Sequence, residues 1–153
     1  MLKKYYLCAM IRFYAENIEM PTLNRIQVSR WINSVAADYG FALGDVNYIF
    51  CDDNHILDVN RCFLGHDYYT DIITFDYSTA DRIAGDIYIS LDTVKSNAEE
   101  FASTNPDIDN PFYVELCRIL IHGILHLTGQ EDKTPQTRAE MTRKENLALS
   151  KIF

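Results

Sequence analysis

Apolar positions recur along this chain with two alternating periods, and their order lays out a succession of strands and helices. Residues 11–14 alternate and predict a short first strand. Over residues 24–39, Ile26, Val28, Trp31, Ile32 and Val35 fall at helical spacing, and Gly40 stops the predicted amphipathic helix. Residues 46–51 predict a second strand. Asp52, Asp53 and Asn54 then offer caps for a short helix through His55, Ile56, Val59 and Phe63. The β-branched and aromatic runs 70–77 and 85–90 predict a third and a fourth strand joined by a brief loop containing Ser78, Thr79 and Asp81. Residues 91–101 suit a surface helix with Val94 and Ala98 facing inward, and Asn105-Pro106 breaks the chain.

Asp109-Asn110-Pro111 supplies a cap and a first-turn proline for the next helix. Phe112, Leu116, Ile119, Leu120, Ile124 and Leu127 make that helix apolar nearly all round, which predicts the central, most buried element, and Gly129 ends it. Residues 135–149 predict a last amphipathic helix with its charges exposed. The fold class is therefore α+β: a small mixed sheet of about four strands packed with helices around one central helix.

At 153 residues the chain has the size of a single domain and can bury about two thirds of its unfolded surface without metal or disulfide staples. With 48% hydrophobic residues and 10 Tyr and 8 Phe, it reads as globular rather than disordered. Cys8, Cys51, Cys62 and Cys117 form no C-x-x-C pair and read as reduced thiols of a cytoplasmic protein. The apolar stretch near the N-terminus is too short to span a membrane and has no cleavage site, so neither membrane insertion nor export is expected. Met10 is an alternative start, which would make residues 1–9 a disordered extension. A formal charge of −8 argues against a broad basic surface for nucleic acid; an RNA substrate would need its cations gathered in space or delivery by a partner.

The chemistry concentrates in the central helix. His122 and His126 are four residues apart, a spacing that stacks two imidazoles on one helical face where a single metal can bind both. Asp132 follows just beyond Gly129, where a turn can fold a carboxylate back to the same ion and leave a fourth position open for water. Two neutral histidines packed in an apolar helix would be the plain alternative. Against it, half of the chain's four histidines lie in this one turn, and Gly123 sits between them, where Ala would favour the helix by roughly 1 kcal/mol. The glycine implies crowding at position 123, against the ion or a neighbouring strand. Asp132 has its own alternative: a surface cap residue, with Glu131 or water as third ligand.

These residues carry a resemblance. The run His122-Gly123-Ile124-Leu125-His126-Leu127-Thr128-Gly129-Gln130-Glu131-Asp132 is similar to the H-G-x-L-H-L-x-G-x-D-H motif of the YbeY family of bacterial rRNA maturation factors, zinc-dependent single-strand endoribonucleases. Thr70-Asp71-Ile72-Ile73-Thr74-Phe75 looks like the family's T-D-V-L-S-F, and Gly85-Asp86-Ile87-Tyr88-Ile89-Ser90 like its G-D-I-x-I-S. The resemblance covers roughly residues 10–150 and implies a zincin-like fold and one zinc ion per chain, held by His122, His126 and Asp132. It also implies rRNA precursors as substrate, and the small ribosomal subunit or assembly factors as partners.

Two departures qualify it. Asp132 stands where the family has a third histidine, which lowers the net charge of the site by one and makes water bound there less acidic. Leu64 stands where the family has an arginine six residues before its T-D pair. Arg61, one helical turn earlier, is the candidate catalytic phosphate contact, with His66 a second candidate and an ordinary exposed arginine the alternative. No residue stands out as general base. A metzincin-type protease shares the histidine spacing but needs Glu directly after the first histidine, and that residue is Gly123, leaving only Glu131 or Glu115 to substitute. A non-enzymatic ribosome-assembly module with a structural zinc is the third reading.

Overall fold

A computed structural model describes residues 11–66 and 70–153. The possible start at Met10, the extension before it and Cys8 lie outside the described residues. The strands are β1 (Ile11–Ala15), β2 (Ala42–Cys51), β3 (Ile72–Asp76) and β4 (Arg82–Ser90), in the order β1-β2-β4-β3. β1, β2 and β4 run parallel, β1 joined to β2 by a helical crossover and β2 to β4 by a helix followed by β3, which pairs antiparallel with β4 through the short loop after Asp76. The sheet is thus mixed and four-stranded, as the hydrophobic pattern implies. β2 starts at Ala42, ahead of the predicted residue 46, and its pairing with β4 shifts register between Leu43 and Val46. That irregularity interrupts the period-two alternation by which a strand is recognised.

The helices are α1 (Arg25–Asp38), α2 (Asp53–Val59), α3 (Leu91–Thr104), α4 (Pro111–Leu127) and α5 (Pro135–Leu149). The predicted caps form, Asp52 accepting from the His55 amide and Asn110 from Tyr113, and Asn24 likewise accepts from the Gln27 amide at the start of α1. α2 does not simply continue through Phe63; it passes into a π-helical turn, Asn60–Leu64.

The two sheet faces are covered differently. On one, Val46, Tyr48, Phe50, Ile83, Ile87 and Ile89 join residues of α1 and α4 in the main core. On the other, Cys51 and Ile73 pack with Ile56 and Val59 of α2. α4 is the central helix: nine of its residues are buried, including Leu116, Leu120, Ile124 and Leu127. Two side-chain hydrogen bonds tie the layers, from the Tyr48 hydroxyl to the Leu120 carbonyl at 2.8 Å and from the Trp31 indole to the Ala148 carbonyl at 2.8 Å. No helix among the described residues is long and apolar enough to cross a membrane.

Close approach of α4 to the sheet depends on two glycines. A Cβ at Gly123 would lie 3.0 Å from Ile87 and 3.1 Å from Ile72, so the crowding inferred from sequence comes from the strands. At Gly85, on β4, an added Cβ would fall well inside van der Waals distance of the Phe75 carbonyl oxygen on β3 and 3.1 Å from Leu127 of α4. A backbone carbonyl in a strand pair cannot swing aside as a side-chain end can. Gly85→Ala is therefore expected to lower unfolding stability by about 2–3 kcal/mol, measured by urea denaturation. A variant within 0.5 kcal/mol of wild type, at about the scatter of neutral substitutions, would contradict this packing.

Candidate metal centre

The last two turns of α4 carry His122 and His126 on one face, their rings 4.5 Å apart and nearly perpendicular at 87°. Gly129, at φ +98°, reverses the chain in the left-handed conformation that favours glycine, and three residues later Asp132 returns to the same face. Its Oδ2 lies 3.3 Å from His122 Nε2 and 3.4 Å from His126 Nε2. One ligand atom from each residue falls within 4.8 Å of the others. Ligands about 2.0–2.1 Å from a tetrahedral zinc are separated from one another by roughly 3.3 Å, so both carboxylate–imidazole spacings suit one ion. Glu131 is exposed and stands outside this group, so the reading in which it replaces Asp132 is not supported by the geometry.

The other nitrogen of each ring is already committed. His122 Nδ1 lies 2.6 Å from Glu145 Oε2, and His126 Nδ1 lies 2.9 Å from the Gln130 carbonyl oxygen. A carbonyl can only accept, so His126 Nδ1 carries the proton and Nε2 offers its lone pair toward Asp132; Glu145 imposes the same tautomer on His122. This is the outer arrangement by which metal-binding histidines are oriented. Glu145, only 6% exposed, is held in turn by Arg118 of α4 at 3.4 Å, and Arg118 also donates to Asn146 and pairs with Glu115 at 3.7 Å.

The surroundings split the two histidines. Burial disfavours the His122 imidazolium, but the hydrogen bond and charge of Glu145, with Asp71 and Asp132 behind it, outweigh that and raise its pKa above the ordinary value. Burial and the neighbouring His122 together lower the pKa of His126 despite Asp132. Burial also lifts the Glu115 carboxyl, with Arg118 opposing and Glu145 and Asp71 adding to the rise.

Sequence reasoning missed Glu145. α5 reads as a solvated helix, yet Glu145 shares the buried stripe of Met141, Ala148 and Leu149, and a carboxylate inside an apolar stripe was the available signal. Arg61 is not brought to the three ligands. It lies on the π-helical turn continuing from α2, half exposed, 4.0 Å from Asp58. Neither Arg61 nor His66, which is also exposed, lines the cleft beside the histidines. That cleft, about 350 Å³, is walled by Ile72, Thr74 and Asp76 of β3 and by His126, Asp132 and Lys133.

The YbeY family profile, described as Endoribonuclease YbeY, matches residues 11–152. The chain belongs to the YbeY family. Proteins from Phocaeicola vulgatus and Bacteroides thetaiotaomicron, both named Endoribonuclease YbeY, are 52% and 49% identical to it over 143 and 140 residues. The alignments cover 94% and 92% of this chain and 99% and 97% of theirs. The solution structure of a Thermotoga maritima protein is similar at a TM-score of 0.61 and 29% identity, over 92% of this chain and 87% of that one. The mixed α+β architecture is thus shared with a solved structure, and the resemblance drawn from three short motifs extends over residues 11–152 of the chain.

Two measurements test the centre. Glu145→Gln keeps a hydrogen-bond acceptor but removes the charge, and Zn²⁺ affinity measured by chelator competition is expected to fall about tenfold. In wild type a metal must displace the His122 proton, so affinity declines as pH falls through the raised His122 pKa, and His126, with its lowered pKa, adds a second proton only at lower pH. In Glu145→Gln the first decline moves to lower pH, because the group that raises the His122 pKa is gone. Identical pH profiles for the two proteins would remove Glu145 from this role.

Proposed function

We propose that this protein is a metal-dependent endoribonuclease that cleaves single-stranded RNA during rRNA maturation, with one Zn²⁺ held by His122 Nε2, His126 Nε2 and the Asp132 carboxylate. The observation that carries this reading is the pair of Nε2 lone pairs aimed at one carboxylate, each ring fixed through Nδ1, beside a cleft open to solvent. Membership of a family described as an endoribonuclease supports the reaction type. A divalent ion in this donor set supplies Lewis-acid charge to a phosphodiester and acidifies water.

The chain's own groups do the rest. Glu145 and the Gln130 carbonyl keep both Nδ1 protons in place, so the ligand faces do not reorganise when substrate enters. β3, an edge strand, forms one wall of the cleft and leaves room for a single strand to lie along it. The substrates are rRNA precursors in the cytoplasm, presented by the small ribosomal subunit or its assembly factors, which would offset the acidic charge of −8.

Peptide hydrolysis is disfavoured by position 123, where a protease of this spacing carries its base and this chain has a glycine packed on Ile72 and Ile87. Glu115 is engaged with Arg118, and Glu131 is exposed and outside the donor group. A purely structural zinc would not call for an open cleft against its ligands.

Asp132→Ala and His126→Ala are each expected to lose stoichiometric zinc and at least about a hundredfold of single-stranded RNA cleavage while remaining folded, with no casein hydrolysis in any form. Zinc-dependent casein cleavage abolished by His126→Ala would replace the nuclease reading with a protease. Arg61 is assigned a phosphate contact outside the cleft. Arg61→Ala should slow cleavage about tenfold, near 1.4 kcal/mol, without changing zinc content. A wild-type rate would remove Arg61 from substrate binding.

A further inference from the structure

A phosphodiester is anionic, and the metal cleft of this chain is acidic: Asp76 and Asp132 line it, and Asp71 acts on His122 from nearby. The family arginine is replaced by Leu64, and Arg61 stands outside the cleft. Several other cations among the described residues are engaged elsewhere. Arg118 serves Glu145 and Glu115, Arg143 pairs with Glu140, Lys151 with Asp38, Arg82 donates to the Leu43 carbonyl, and Lys144 lies over the Tyr39 ring.

One cation does line the cleft. Lys133 follows Asp132 directly, is exposed, and makes no ion pair among the described residues. Its backbone is held firmly. Before it, Asp132 faces both imidazoles and Gln130 Nε2 donates to the Glu131 carbonyl at 2.9 Å and the Thr137 carbonyl at 3.4 Å. After it, Thr134 and Thr137 form a reciprocal capping box at the start of α5, and Arg138 donates to the Lys133 carbonyl itself at 3.2 Å. The loop therefore presents an acceptor for His126, a ligand carboxylate and an ammonium group from residues 130, 132 and 133, on a backbone tied at both ends.

We infer that Lys133 is a substrate-binding residue that contacts an RNA phosphate at the metal cleft. Lysine suits this task as a point charge on a flexible stem, able to meet a phosphate oxygen without the fixed geometry of a guanidinium. The contact is made in the ground state, so it governs binding more than the chemical step. This inference rests on the nuclease reading above.

The test compares wild type, Lys133→Ala, Lys133→Arg and, as a control on α3, Lys95→Ala, each loaded with zinc. Readouts are steady-state cleavage of a single-stranded oligoribonucleotide, its salt-dependent binding by fluorescence anisotropy under non-cleaving conditions, and zinc content. Lys133→Ala should raise KM about five- to tenfold with kcat within about twofold, and should lower the slope of log affinity against log salt by about 0.7, one single-strand phosphate contact. Lys133→Arg should restore most of the affinity, and Lys95→Ala should match wild type. Zinc content should be equal in all four. If wild type cleaves RNA and Lys133→Ala keeps the wild-type KM and salt slope, or loses zinc, this inference fails and the nuclease reading stands. A wild type that neither binds nor cleaves single-stranded RNA overturns both.

Discussion

The distance between α4 and the sheet is the constraint on which the metal centre rests. Gly123 sits between the two histidines and lets the helix settle on Ile87 and Ile72, while Gly85 lets β3, β4 and Leu127 converge beneath it. A glycine in a helix interior costs about 1 kcal/mol against alanine, and the cost is offset by burying an almost wholly apolar helix against three strands' worth of isoleucine, valine and aromatic surface. The consequence is positional: with the glycine toward the strands, His122 and His126 project where the edge strand β3 ends the sheet, and its residues Ile72, Thr74 and Asp76 become the opposite wall of a cleft. Packing places the donors, and an edge strand keeps one side of them accessible.

Within that apolar frame, one polar chain crosses from α4 to α5. Arg118 holds Glu145, and Glu145 holds His122. A buried carboxylate without partners would be strongly destabilising, so a charge at position 145 is tolerable only because it is flanked on both sides. The same interaction gives the two imidazoles unequal proton affinities, since His122 is hydrogen-bonded to Glu145 while His126 meets a neutral carbonyl there and is lowered by burial and by His122. Replacing a third imidazole by Asp132 puts a charge where both Nε2 atoms point. The acidity that the carboxylate withholds from bound water is set against a firmer electrostatic hold on the ion.

What the sequence displayed was local. The histidine pair, the glycine between them, the glycine stop and the returning aspartate all lie within eleven residues; helical periodicity puts both histidines on one face and the Gly129 reversal returns Asp132 to it. Glu145 and Lys133 needed more: the apolar stripe of α5 marks Glu145 as buried, but its partner, like the place of Lys133, depends on how α5 docks against α4, which no spacing along the chain encodes. Arg61 illustrates the reverse difficulty. Its placement one turn before Leu64 assumes an α-helix, but residues 60–64 are π-helical and follow a helix that packs against Ile73 on the face of the sheet opposite α4. Wider turns change which side chains stack, and a run of 60s numbering leading into β3 says nothing about which face it approaches from. The early start of β2 was hidden similarly, by a register shift that breaks alternation without ending the pairing.

The acidic charge and the RNA substrate are compatible because the two act over different distances. At physiological ionic strength charges beyond about 8 Å are largely screened, so the −8 of the whole chain governs encounter, while a phosphate seated as proposed would feel chiefly a bound ion, Lys133 and the nearby carboxylates. Raising salt relieves the long-range repulsion and at the same time weakens the contacts inside the cleft. A protein with several of its cations bound to its own carboxylates and carbonyls has little to offer an RNA that diffuses freely along its surface. Under the proposed reading, selectivity would then come from the few positions where a backbone fixed by Asp132 on one side and a helix cap on the other holds a cation beside the cleft, and the loop from Gly129 to Thr134 would serve the substrate as well as the metal.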